Sequence, residues 1–172
     1  TDFDLSSHQE YSKKKLQYFD SERNENYVPY VVETSVGLDR LFLSVLSTAY
    51  EEEKLEDGTE RVVLKIPAFL APYKIAVLPL MKKDGMPEVA RKIIDDLKLD
   101  FNCQYDEKDN IGKRYRRQDA IGTPFAVTVD QETLSDNTVT IRHRDTMKQE
   151  RVAIGDLYRI IEEKVSMRTL FV

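Results

Sequence analysis

Tyr30–Val31–Val32–Glu33–Thr34–Ser35–Val36–Gly37–Leu38–Asp39–Arg40 is the segment whose residue types and spacing could do chemistry. In a strand, side chains alternate, so Glu33, Ser35 and Gly37 line one side while Val32, Thr34 and Val36 line the other. After Gly37 the period changes to that of a helix, with Leu38, Leu41, Phe42, Val45, Leu46 and Ala49 along one stripe. Arg40 then falls in the first helical turn. A carboxylate, a hydroxyl and bare backbone, followed by a helix start and an arginine, suit a small amine and a polyphosphate. Glu33 would hold the ammonium and Arg40 a phosphate. The competing readings are an edge strand whose polar face meets water, and an Arg40 salt bridge to Asp39 or a nearby carboxylate.

A second basic feature is Lys113–Arg114–Tyr115–Arg116–Arg117, the densest such run in the chain. On a helix, Lys113, Arg116 and Arg117 share a face. They read either as phosphate contacts or as a solvated face balancing Asp109 and Asp119. Arg142 and Arg144, two apart on a strand, form a further candidate patch.

The elements that must position these residues follow from pattern. Strands are expected around Leu16–Phe19 and Val28–Val36, joined by the polar loop 20–26, and a helix from Leu38 to about Glu53. Residues 51–72 break periodicity through a charged run, Asp57–Gly58, Pro67 and Pro72, although Arg61–Ile66 can be a strand. Beyond Pro72 the pattern alternates. Tyr73–Leu80 reads as a central strand covered on both faces, and Pro87 opens a helix carrying Val89, Ala90, Ile93, Ile94 and Leu97. Phe101–Tyr105 is a strand, 111–120 a helix ended by Gly122, and Phe125–Val129 a strand. Thr138–Arg144 and Arg151–Ile154 form a hairpin, and 156–165 is the last helix. This is an α/β arrangement with a mixed sheet. His143 alternates with Val139 and Ile141 and is expected to be packed.

The strand, E-x-S-x-G-x-D-R and helix together resemble the third conserved motif of class II aminoacyl-tRNA synthetases, in particular the homodimeric glycyl-tRNA synthetases. Upstream, Asp2–Phe3–Asp4–Leu5–Ser6–Ser7–His8, Leu16–Gln17–Tyr18–Phe19–Asp20 and Tyr27–Val28–Pro29–Tyr30–Val31 are similar to the segment before that motif. Downstream, Asn110–Ile111–Gly112–Lys113 and Gly122–Thr123–Pro124–Phe125 carry the likeness on, so it covers essentially the whole chain. One departure is Lys13, where the family usually carries glycine.

The resemblance implies a C-terminal piece of such an enzyme. Residues 1–72 would be the last strands and motif 3 helix of the catalytic domain. Residues 73–172 would be an anticodon-binding domain with a mixed five-stranded sheet and three helices. Glu33, Thr34, Ser35, Val36 and Gly37 would line the glycine pocket, and Gly37, Leu38, Asp39 and Arg40 the ATP, with Arg40 catalytic. ATP with Mg²⁺, glycine and tRNA(Gly) would be the substrates of a cytoplasmic homodimer. Lys113, Arg114, Tyr115, Arg116, Arg117, Arg142 and Arg144 would meet tRNA. Lacking the first two class motifs, these residues alone are expected not to aminoacylate. A non-catalytic synthetase-like module is the alternative from another class, opposed by the intact Glu33, Ser35 and Arg40; the prolyl or threonyl enzyme is a third.

Composition bounds these readings. The net charge of −5 is uneven: residues 1–72 hold 8 basic against 14 acidic side chains, and residues 73–172 hold 18 against 17. A single cysteine, Cys103, permits no intrachain disulfide, and His8 and His143 are too isolated for a zinc site. No phosphate-loop pattern, no Ser-His-Asp arrangement and no membrane-length apolar run is present.

Overall fold

The computed structural model describes residues 1–171; Val172, the last residue of the domain expected over 73–172, lies outside the described residues. Contacts divide the chain into two compact units, Thr1–Leu41 and the chain from Phe42 onward.

In the first unit, α1 (Phe3–Ser12) precedes a short antiparallel hairpin of β1 (Tyr18–Asp20) and β2 (Glu25–Tyr27). α1 buries no residue and carries no apolar stripe, so periodicity gave no sign of it. It ends at Lys13 in the left-handed conformation, φ 57. That backbone favours glycine, the residue that the resemblance leads one to expect there. The Asp20 carboxylate closes the hairpin turn by accepting the Glu22 and Arg23 amides at 2.9 and 3.2 Å, and Tyr18 and Tyr27 meet edge to face across the ladder. The strand expected over Val28–Val36 does not form. Residues 28–37 have no regular secondary structure, because an apolar, β-branched run becomes a strand only where a neighbour completes its ladder.

α2 (Leu38–Ala49) begins when the Gly37 carbonyl accepts the Leu41 amide at 3.0 Å. It stops at Ala49, short of the expected Glu53, and runs straight into β3 (Tyr50–Lys54), which pairs antiparallel with β4 (Glu60–Leu64) around the Asp57–Gly58 turn. The charged run that reads as a helix end is thus the outer strand of a hairpin. Glu51 and Glu53 on β3 bind Lys65, at 2.7 and 2.6 Å, across the ladder. Of the apolar stripe of α2, only the last turns are covered, where Ala49 and Val45 pack with Leu64, Ile66 and Ala71; Leu41, Phe42 and Leu43 are exposed.

The rest of this unit is the α/β layer expected from the pattern. It runs β5 (Ile75–Pro79), α3 (Met86–Leu97), β6 (Cys103–Tyr105), α4 (Ile111–Ile121), β7 (Phe125–Val129), the single turn α5 (Thr133–Asp136), β8 (Thr138–His143), β9 (Gln149–Ala153) and α6 (Leu157–Val165). The five strands are ordered β6-β5-β7-β8-β9. β5 is parallel to both β6 and β7, whereas β7-β8-β9 is antiparallel.

Strand alternation assigns the two faces. Ile75 and Val77 of β5, Phe125, Val127 and Val129 of β7, and Val139 and Ile141 of β8 meet the stripes of α3 and α6 in the main core. Ala76, Leu78 and Ala126 point the other way and pack against Ile111 and Tyr115 of α4, the two alanines leaving room for the helix. Every residue of β5 and β7 is buried, as near-continuous apolar runs in central strands require. Cys103 on edge strand β6 is half-buried, and burial pushes its thiol up to about 11, so it stays protonated at neutral pH.

Gly122 ends α4 with φ +83, where a side chain would be strained whatever the space. The space is also closed: a Cβ there would lie 3.0 Å from the Ile66 side chain and from the Leu64 carbonyl. Gly122→Ala is therefore expected to cost about 1–3 kcal/mol, read by urea denaturation. An unchanged midpoint would show that α4 and β4 are not held at this distance.

Candidate nucleic-acid interface

α4 starts cleanly because Asn110, extended at its N-cap, accepts the Lys113 amide at 2.9 Å. The helix then distributes its basic residues by periodicity, and they do not share one environment. Arg114 points inward and is buried. It donates to the carbonyls of Pro79 at 2.5 Å, Leu80 at 3.3 Å and Asp109 at 3.2 Å, tying the end of β5 to the loop before α4. Arg114 is thus a structural clamp and not the exposed contact expected for it.

Arg117 is committed to its own loop. It binds Asp106 at 2.6 Å and Asp109 at 2.9 Å. The Arg117 hydrogen bond holds the Asp109 carboxyl below its usual range. Lys113 is exposed, and Arg116 is half-buried, 3.6 Å from the Asp119 carboxylate.

The second expected patch is also corrected. Arg142 and Arg144 are buried on the α4 side of β8. Arg144 donates to the carbonyls of Gly122 at 2.8 Å and Ile66 at 2.9 Å and pairs with Asp145 at 2.7 Å. Arg142 grips the buried Asp119 carboxylate at both oxygens, at 2.7 and 3.0 Å, and its guanidinium lies 4.8 Å from the centre of the Tyr115 ring. Strand alternation placed these arginines on one face correctly; the helix that covers that face is a tertiary fact that spacing does not carry. His143, expected to be packed, is half-buried: its ring meets Phe125 edge to face at 5.3 Å, and Nε2 is 3.0 Å from Glu150.

Lys113, Arg116, Tyr115 and Arg142 do come together, with Asn110, Met147 and Gln149, around an open groove of about 440 Å³ between the first turns of α4 and the β8–β9 hairpin. Its composition is suited to a nucleotide: two cations at the rim, a guanidinium stacked on an aromatic in the floor, a thioether surface, and two side-chain amides able to donate and accept. Asn110, Met147 and Gln149 escaped sequence reasoning. Of these, only Asn110 had a signal, as a helix-cap residue just before the basic run.

In the first unit, Glu33, Thr34, Ser35, Val36, Gly37, Leu38, Asp39 and Arg40 are all exposed. They lie in consecutive order along one open segment, with the helix start at Leu38 directly after the carboxylate and hydroxyl. Among the described residues no helix is long and apolar enough to cross a membrane.

Comparison with known proteins bears on both halves. A family model described as an anticodon binding domain matches residues 74–164, more than half of the chain. The glycine–tRNA ligase of Chlorobaculum tepidum is 53% identical over 165 residues, which cover 96% of this chain and 35% of that protein. The glycine–tRNA ligase of Geobacillus kaustophilus is 51% identical over 166 residues, covering 96% and 36%, and that of Lachnoclostridium phytofermentans 51% over 164, covering 95% and 35%. The chain thus spans about 35% of the length of these relatives. Among solved structures, the RNA binding domain of threonyl-tRNA synthetase from Cryptosporidium parvum superposes with a TM-score of 0.53 at 23% identity, over 58% of this chain and 25% of that one, a likeness of fold. With its mixed sheet of order β6-β5-β7-β8-β9 and the match over residues 74–164, the chain belongs to the anticodon binding domain family.

Proposed function

We propose that this chain is the part of a glycine–tRNA ligase that combines the third class II motif with the anticodon-binding module. The observation that carries the reading is the presence of Glu33-x-Ser35-x-Gly37-x-Asp39-Arg40 and the anticodon-binding fold in one sequence. Relatives about half identical over nearly all of it, and named for that activity, support it. Residues up to Pro72 are of catalytic-domain type and 73–172 form the anticodon module. The β3–β4 hairpin is physically attached to that module through α4.

In the whole enzyme, a cytoplasmic homodimer, glycine attacks the α-phosphate of ATP, giving glycyl adenylate and pyrophosphate. A terminal ribose hydroxyl of tRNA then takes the glycyl group. Glu33 holds the ammonium of glycine with Thr34, Ser35, Val36 and Gly37 shaping the pocket, and Gly37–Arg40 meet ATP, which enters with Mg²⁺ as substrate. An arginine suits this position because its planar, permanently charged fork binds two phosphate oxygens. Catalysis of this type is positioning and charge stabilisation. The groove of Lys113, Tyr115, Arg116 and Arg142 receives the tRNA, with phosphates at the rim and a base over the floor.

Two measurements test this. In the full-length ligase, Glu33→Gln is expected to lower glycine-dependent pyrophosphate exchange about 100-fold or more, since an ammonium would lose its counter-charge; wild-type exchange would remove Glu33 from the glycine pocket. Lys113→Ala with Arg116→Ala is expected to weaken tRNA binding and flatten the plot of log affinity against log salt by about 1.5, two phosphate contacts' worth. An unchanged slope would assign this face to solvent.

A further inference from the structure

Asp119 lies on α4 and is fully buried. Three arginines from three elements converge on it. Arg142 of β8 binds both oxygens, Arg61 of β4 reaches Oδ2 at 3.1 Å, and Arg116 of α4 stands 3.6 Å from the same oxygen. Glu53 of β3 offsets Arg61 from the far side at 2.5 Å, and the carboxyl of Glu53 is held below its usual range by Arg61 and then Lys65. With Arg61 so neutralised, one carboxylate is left for two arginines. The excess positive charge lies at Arg116 and Arg142, the two members that line the groove.

The same contacts fix the shape of the groove floor. Arg142 has both terminal nitrogens on Asp119 and one face near the Tyr115 ring, whose hydroxyl is itself hydrogen-bonded to Thr128 at 2.6 Å. A guanidinium tied at its end and stacked on its face keeps one orientation, and recognition of a planar base by arginine depends on that orientation. Arg61, in turn, is buried outside the groove and also donates to the Arg144 carbonyl at 2.9 Å. It holds Asp119 from behind.

We infer that Asp119 is a positioning residue for reading the tRNA: it orients Arg142 in the groove floor, and Arg61 of the β3–β4 hairpin braces it. The inference rests on the groove being the tRNA surface. The loss expected when Asp119 is removed is therefore one of discrimination between bases, ahead of any loss of general affinity for RNA.

The test uses the full-length ligase and two RNAs, its tRNA and the same tRNA with one anticodon base replaced, with the ratio of their dissociation constants measured at several salt concentrations. Asp119→Asn is expected to reduce that ratio roughly tenfold, about the effect of one misplaced charge-assisted hydrogen bond, and to leave the salt slope as in the wild type. Arg61→Lys keeps the charge but not the fork, and is expected to reduce the ratio about threefold. Should Asp119→Asn fail to fold, Arg61→Lys decides alone, because that residue lies outside the groove and, of its partners Glu53, Asp119 and the Arg144 carbonyl, Asp119 is the one that holds the groove residues Arg142 and Arg116. A ratio unchanged in a folded variant would overturn the inference. If the Lys113 and Arg116 alanine variant still alters the salt slope, the groove reading survives that result; if it does not, both fall.

Discussion

The Asp119 carboxylate, sealed between α4, β4 and β8 and shared by guanidinium groups from each, is the interaction on which this unit's architecture depends. A buried ion pair contributes little net stability against an apolar substitute, but removing one partner leaves an uncompensated charge and is costly. Its effect is therefore to specify. The hairpin can dock on α4 only where Arg61 meets Asp119, and β8 can run beneath α4 only in the register that brings Arg142 to the same carboxylate. Gly122 allows the approach by leaving no Cβ between α4 and Ile66. Arg144 completes the seam by binding carbonyls from both sides of it, at Gly122 and Ile66.

This arrangement explains why the sheet was legible in the sequence and the seam was not. β5 and β7 declared themselves through unbroken apolar runs, β8 through alternation, and α3 and α6 through stripes that the core uses as expected. The single-turn α5, between β7 and β8, was not among the expected elements. By contrast, Glu51, Glu53, Arg61 and Lys65 look like ordinary surface charge until β3 and β4 are paired, because their partners lie across a ladder or on another element. The same holds for Arg114, Arg142 and Arg144. A basic residue in a sequence announces charge; whether backbone carbonyls and a carboxylate absorb that charge is decided by packing.

The segment before Leu38 failed in the opposite sense. Val28–Val36 has the composition of a strand and no ladder in the described chain, and the apolar stripe of α2 is real but covered only toward Ala49. Pattern reported the intrinsic preference correctly in both places. A preference for pairing or burial is not itself a partner, and here the relatives extend well beyond the matched region.

The central strand has a consequence for how the chain is made. β5 pairs in parallel on both sides, with partners that begin 28 and 50 residues later, at Cys103 and Phe125. Parallel strands close only after a crossover has formed, so no local hairpin can shelter Ile75–Pro79 as it leaves the ribosome. The antiparallel β7-β8-β9 ribbon can assemble from neighbours. During synthesis the most apolar strand of the domain therefore waits, unpaired, until the α3 crossover and β6 have emerged, and its second edge stays open until α4 and β7 follow; that interval is when the nascent chain most needs a chaperone's protection.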